Sequence, residues 1–246
     1  MKHHDRRHTE LPWTIAERSS TPDPRMRADM TPSQPKAFAS DSERPTMTTD
    51  DLGAVTRDRL RAFAGLVARW NPTIKLVSSP DLAHLWSRHV EDALQLIPHM
   101  PATATHALDL GSGGGFPGLV LAIATGVRFD LIESDSRKAA FLQEAAMATA
   151  APATIHMGRI EDVKLPLRLL VTARALAPLP KLLELAHPFL DRDGVCLFPK
   201  GERAASEIAE SDKDWIMDLH QISSRTSSAG RILRVSRLSR RRIATP

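Results

Sequence analysis

Asp109 stands two residues before the turn Gly111-Ser112-Gly113-Gly114-Gly115-Phe116-Pro117-Gly118, and an apolar run precedes it. A glycine-rich turn between a buried strand and a helix builds a nucleotide-sized site at the carboxyl edge of an α/β sheet. Gly113-x-Gly115-x-x-Gly118 fits the loose dinucleotide pattern, and a glycine cluster is also an ordinary turn, so the loop alone leaves both readings open. The carboxylate tilts the choice. It would repel a pyrophosphate seated on backbone N–H groups. S-adenosylmethionine has no phosphate, and its methionine end carries an ammonium that Asp109 can hold.

Three further positions fall at strand ends in the same order. Glu133 closes the run 127–132, where a carboxylate can accept both ribose hydroxyls of an adenosine, a group that S-adenosylmethionine and NAD share. It could equally face a helix dipole. Glu161 follows the run ending at Met157 and Gly158, placed for an adenine amino group, although in isolation it reads as a surface acid. Arg174 follows the run 167–173, where a guanidinium can enter the crevice and meet the donor's carboxylate or an RNA phosphate.

Other reactive residue types read as structural. Cys196 lies in the apolar run Val195-Cys196-Leu197-Phe198 and belongs to the core. His89 and Asp92, spaced i and i+3, would share a helix face as a hydrogen-bonded pair or as an RNA contact. They have no further ligand at metal spacing, so no metal is expected.

The elements that must position these residues follow from periodicity. Leu52, Val55, Phe63, Leu66, Val67 and Trp70 predict a first amphipathic helix capped by Thr49 or Asp50, ending in a turn at Asn71-Pro72. Ser79-Pro80 starts a second helix that runs to Pro98. Strands are then predicted at 106–110, 127–132, 153–157, 167–173 and 194–198, with helices at 117–125, 136–150 and 178–189. A closing strand spans 232–238. Such alternation specifies an α/β fold, a mostly parallel sheet with helices on both faces, plus an N-terminal helical extension.

Composition bounds the reading. With 246 residues and 42% apolar content the chain can bury one α/β domain with additions. Residues 1–46 carry six prolines without apolar periodicity and are expected to be a disordered tail or an over-extended start. The N-terminal helices would occupy 47–100 and the catalytic domain, with its basic end, 101–246. A single cysteine excludes internal disulfides and, with no signal-type or membrane-length apolar run, predicts a soluble cytoplasmic protein. The net charge of +4 is uneven. No acid follows Asp218, while Arg225, Arg231, Arg234, Arg237, Arg240, Arg241 and Arg242 do, which suits nucleic acid or a solvated basic tail.

Taken together the chain resembles the bacterial small-subunit ribosomal RNA methyltransferase G family, also called glucose-inhibited division protein B. The resemblance rests on Trp70-Asn71 with Lys75-Leu76, Arg88-His89-Val90-Glu91-Asp92, the stretch from Asp109 to Gly118, Glu133-Ser134 with Arg137-Lys138 and Phe141-Leu142, Arg159-Ile160-Glu161, Arg174-Ala175, and Lys200-Gly201. It implies a Rossmann-like S-adenosylmethionine-dependent methyltransferase fold and methylation of N7 of guanine 527 in 16S rRNA. It also implies donor binding by Gly111, Phe116, Ile160, Glu161 and Arg174, beside Asp109, Gly113 and Glu133. The partner is then 16S rRNA within the 30S subunit or its precursor, met by a monomer and not by a membrane protein. Lys75-Leu76-Val77, Ala93 and Pro199 depart from the family's usual residues and bear on how RNA is held.

Guanine N7 carries a lone pair and no proton, so its methylation needs alignment rather than a general base. N7 lies in the groove of A-form RNA that side chains cannot enter, so the base must be swung out at a cost of about a few kcal/mol. Phosphate contacts must offset that cost, and Lys75, Arg88, His89, Lys200 and Arg231 are the candidates. Only 4% of residues are aromatic and none is tyrosine, so stacking platforms are scarce. A nicotinamide-dependent oxidoreductase and a non-catalytic RNA-binding protein that kept the fold are the two rival readings.

Overall fold

The computed structural model describes residues 47–241; the expectations for 1–46 and for Arg242 lie outside them. A short 3-10 turn, Thr49–Asp51, leads into helix α1, Ala54–Ile74. Leu60, Phe63, Val67, Asn71 and Ile74 are its buried stripe, at the three- and four-residue spacing of one helix face. Val55, expected on that face, is exposed instead. The helix also runs through Pro72 rather than turning there. In the last turn a proline forfeits a single intrahelical bond, and Lys75 closes the helix in the left-handed region, donating its N–H to Asn71 O at 3.0 Å. The Asn71 side chain then accepts from Val77 N at 2.9 Å and turns the chain.

The second helix is broken where continuity was expected. Ser78, not Ser79, is the N-cap of α2, Ser79–Ala83. The chain passes through a π turn, Trp86–Val90, into the single turn α3, Glu91–Leu94. Widening the helix there turns Arg88 and His89 off the regular face.

Seven strands follow: β1, His106–Leu110; β2, Arg128–Glu133; β3, Ala153–Met157; β4, Arg168–Thr172; β5, Leu190–Lys200; β6, Trp215–Ser223; and β7, Arg231–Arg240. Helices α4, Gly118–Thr125, α5, Ser136–Ala148, α6, Leu179–Ala186, and α7, Ala204–Ser211, connect them. The order is β3-β2-β1-β4-β5-β7-β6, parallel from β3 to β5 and antiparallel over β5-β7-β6. The predicted α/β architecture is present. Strand β6 and helix α7 escaped prediction: β6 is an edge strand with only Trp215 and Ile222 buried, and α7 is two turns long.

Alternation along the strands divides the core. Ala107, Phe129, Leu131, Leu170 and Leu197 pack with α1, α4 and α5, while Leu108, Ile132, Val171, Cys196 and Phe198 pack with α6. Each such large side chain contributes about 1.5–3 kcal/mol on burial. With both faces covered, the parallel strands end together at Leu110, Glu133, Met157 and Thr172, and the loops beyond them form the site.

Candidate functional site

Two neighbouring cavities lie along this edge. One, of about 500 Å³, is bounded by the loop 111–116, the end of β2, the turn 158–161 and the loop after β4. Gly111, Gly113, Phe116, Glu133, Ile160, Glu161 and Arg174, far apart in sequence, all line it. The other, of about 1180 Å³, is a more open groove walled by α2, the π turn, the end of β5 and the start of β7. His89, Arg174, Ala175 and Leu176 belong to both.

The glycine loop is shaped by close approach. Gly111 has φ +61°, and a Cβ there would lie 2.5 Å from Leu176 Cδ1. A Cβ on Gly118 would lie 2.6 Å from both Asp109 Cβ and Leu131 Cδ2, so α4 begins directly against the strands.

Glu133 is 7% exposed. Its Oε2 accepts from Gly113 N at 2.8 Å and its Oε1 from Asp135 N at 2.8 Å. Each oxygen keeps a lone pair for a ligand hydroxyl.

Asp109 requires a correction. It is fully buried and does not line the cavity: it lies beneath the glycine loop at the start of α4. One oxygen accepts from Thr172 Oγ1 at 2.6 Å, and Oδ2 has no hydrogen-bond partner among the described residues. Burial pushes its carboxyl up to about 6, against the hydrogen bonds from Thr172 and Ser112. The direct ammonium contact suggested by its place before Gly111 gives way to a charge set one layer below.

Arg174 sits where the cavities meet. Its guanidinium donates to Asp92 Oδ2 at 3.1 Å and Arg88 O at 3.1 Å, contacts His89 Nδ1, and lies 5.4 Å from the Phe116 ring centroid. The His89 ring packs on Phe116 at 4.9 Å. Burial, then the Arg174 charge, bring the His89 imidazole down to about 4, so it is neutral near pH 7. His89 and Asp92 thus meet through Arg174. Asp92 also accepts from Thr226 Oγ1 at 2.6 Å and Gln95 at 2.7 Å, tying the groove's far wall to the same guanidinium.

The RNA candidates separate. Arg88 and Arg231 line the groove, Arg88 exposed and paired with Asp81 at 3.0 Å. Lys75 lines neither cavity; its neighbours Leu76 and Val77 line the smaller one. Lys200 lies at the groove, but its Nζ is 2.6 Å from Glu207 Oε2 and 2.9 Å from Ala177 O, both side chains about 90% buried. Its charge is committed to holding α7 against the start of α6, where Glu207 also accepts from Leu179 N at 2.9 Å.

The basic end does not form one patch. Arg231 pairs with Lys200 at the groove end of β7, while Arg240 pairs with Trp215 nine residues away, about 30 Å along the strand. There Arg240 covers the Trp215 ring at 4.7 Å, Arg237 pairs with Asp218, and Arg241 donates to Asp212 O at 2.8 Å. Arg234 is buried and shared with the His99 backbone.

Among the described residues, no group of three or more His, Cys, Asp or Glu side chains is placed to hold a metal, and no helix is long and apolar enough to cross a membrane. Cys196 is buried, and burial raises its thiol far above the usual range. The sequence reading missed Leu76, Val77, Leu176 and Leu185 in the smaller cavity. Leu76 and Val77 arrive from the N-terminal helices, with no local glycine or acid to mark them.

A solved TehB-like SAM-dependent methyltransferase from Corynebacterium glutamicum superposes with a TM-score of 0.49 at 16% identity, over 72% of this chain and 98% of that one. The curated Ribosomal RNA small subunit methyltransferase G of Gluconobacter oxydans is 51% identical over 194 residues, 79% of this chain and 99% of that protein. The protein of the same description from Rhodospirillum centenum is 48% identical, over 76% of this chain and 86% of its own length. The family model for rRNA small subunit methyltransferase G matches residues 56–234, and the chain belongs to that family.

Proposed function

We propose that this chain transfers a methyl group from S-adenosylmethionine to N7 of guanine 527 in 16S rRNA, within the 30S subunit or its precursor in the cytoplasm, and acts as a monomer. The observation that carries the reading is the shared wall. The glycine-loop cavity and the larger groove have His89 and Arg174 in common, so a base held in the groove can face a ligand held in the cavity.

The residues of the smaller cavity fit the donor. Glu133 offers carboxylate lone pairs to a ribose diol, Ile160 an apolar surface beside Glu161 for adenine, and Arg174 a guanidinium for the methionine carboxylate. The Asp109 carboxylate, one layer below the loop, disfavours a pyrophosphate there. When bound, S-adenosylmethionine supplies an electrophilic methyl group on a sulfonium.

The chain's own contribution is orientation. N7 needs no deprotonation, and no thiol is available as a nucleophile because Cys196 is buried in the sheet. Asp92 and the Arg88 carbonyl hold Arg174, and Arg174 and His89 hold Phe116, which fixes the wall between the two cavities. Arg88 and Arg231 at the groove supply phosphate contacts that offset the cost of swinging the base out.

The test is to incubate small-subunit particles lacking the modification with labelled S-adenosylmethionine and map the product. We expect N7-methylguanine at one position of the 16S rRNA. RNA that binds the chain but takes up no label would favour a non-catalytic RNA-binding protein, and NAD binding without S-adenosylmethionine affinity would favour an oxidoreductase.

A further inference from the structure

The wall between the two cavities carries one polar atom that the donor site does not use. His89 is 8% exposed and buried around its Nε2, which makes no hydrogen bond among the described residues; Asp81 Oδ2 lies 4.0 Å away. The other ring nitrogen, Nδ1, faces the Arg174 guanidinium, which can only donate. Nδ1 is therefore the lone-pair nitrogen, and in the neutral ring the proton sits on Nε2. Packing on Phe116 and the contact with Arg174 fix the ring, so Nε2–H is a fixed donor directed to the side of His89 on which Asp81 lies.

Asp81 lines the groove and supplies the complementary group. Its Oδ1 accepts from Arg88 at 3.0 Å and its Oδ2 from Ser78 Oγ at 2.6 Å, leaving each oxygen a second lone pair. A donor and an acceptor thus stand 4.0 Å apart between groove and cavity, the donor covered until an incoming base displaces what lies over it. The edge of guanine runs N7, O6, N1–H, N2–H₂: acceptor, acceptor, donor, donor. O6 lies between N7 and N1. A guanine whose O6 meets Nε2–H and whose N1–H and N2–H₂ meet the Asp81 carboxylate has its N7 directed to the cavity side of His89.

We propose that His89 and Asp81 are the base-reading pair of this enzyme, His89 Nε2–H donating to guanine O6 and the Asp81 carboxylate accepting from the N1–H and N2–H₂ edge. The proposal rests on the reading that guanine N7 is the methyl acceptor. The pair would also exclude adenine, which has an N7 of its own. Adenine sets an N6 amino group against Nε2–H and a bare N1 against the carboxylate, so both contacts become repulsive. A neutral, buried imidazole is needed for this role, because a protonated ring would make Nδ1 a donor against Arg174.

The experiment uses the full chain, labelled S-adenosylmethionine, and two kinds of small-subunit particle: one with the natural target guanine and one with adenine there. S-adenosylmethionine affinity is measured separately by titration. His89→Phe keeps the packing on Phe116 but removes both the Nε2 donor and the Nδ1 acceptor for Arg174, and should lower kcat/KM on guanine particles about 30- to 100-fold, at least about tenfold beyond whatever donor affinity it loses. Asp81→Asn should lower it about tenfold with no change in donor Kd. His89→Gln keeps an N–H donor and adds an oxygen that can accept from adenine N6. It should narrow the guanine-over-adenine preference at least about tenfold.

A His89→Phe enzyme with wild-type kcat/KM, or one that loses rate only in step with donor affinity, would overturn the proposal and leave His89 as a support for Arg174. If that variant does not fold, an unchanged base preference in His89→Gln overturns it equally. Label on guanine N7 in the wild type with unaffected variants rejects the base-reading pair alone. No N7-methylguanine from the wild type rejects both the pair and the reading beneath it.

Discussion

The carboxylate of Glu133 accepts the amide of Gly113, 2.8 Å away, and so joins the end of β2 to the glycine loop that follows β1. Its second oxygen is fixed by the amide of Asp135, which leaves the side chain one position in which to meet a ribose. Glu133→Gln must turn its NH₂ toward one of these two N–H donors. We expect S-adenosylmethionine affinity to fall about 10- to 100-fold, the range for a lost hydrogen bond to a charged group. Calorimetric titration measures it, and retained affinity with a retained melting temperature would remove Glu133 from the donor site.

Three residues before Glu133 on β2, Asp130 gathers Arg168 at 2.6 Å, His156 at 2.8 Å and His106 at 2.9 Å. Burial by itself would raise this carboxyl, but the hydrogen bonds from Arg168 and His156 outweigh it and hold it below the usual 3.8. A depressed carboxyl stabilises the fold above its unfolded value and loses that contribution as pH falls through the folded value. Asp130→Asn should cost about 3–5 kcal/mol at pH 7, because it leaves Arg168 buried without its partner. Urea unfolding should also show a flatter dependence below pH 4 than in the wild type.

Salt dependence separates the arginines that face the groove from those that do not. Arg231→Ala should reduce the slope of log K against log salt for particle binding by about 0.7–0.9, one phosphate contact. Arg240→Ala, about 30 Å along β7 from that position, should leave the slope unchanged. Lys200→Met should behave differently from both. It should leave the slope alone and lower stability by about 3 kcal/mol, since the buried Glu207 then keeps only the exposed Arg203, 4.0 Å away.

These contrasts show which parts of the site were legible before the fold was known. Glu133, Glu161 and Arg174 were readable because each follows an apolar strand, and parallel strands end at one edge. Lys200 looked free because its partner Glu207 lies across a turn, on a two-turn helix too short for periodicity to show. Arg237 and Arg240 were grouped with Arg231 because a run of like charges in sequence says nothing about strand direction. Leu76, Val77 and the place of Asp81 at the groove depend on how the broken helix α2, the π turn and α3 dock on the sheet. No local pattern encodes that break.

Asp109 gives the last expectation. Its carboxyl ionises near 6 in the folded protein and near 3.8 unfolded, because burial penalises the charge. The unfolded chain therefore loses its proton first as pH rises. This group lowers stability progressively between about pH 3 and pH 7, by about 3 kcal/mol in all, and contributes no further pH dependence above that. Asp109→Asn keeps an oxygen for the Thr172 hydroxyl, now 2.6 Å away, and removes the titration. We expect its stability, measured by urea unfolding from about pH 3 to pH 7, to fall by about 3 kcal/mol less than that of the wild type. A variant with the wild-type pH slope would place the Asp109 carboxyl at its ordinary value, in contact with water, and return it to the wall of the donor cavity that its position before Gly111 first suggested.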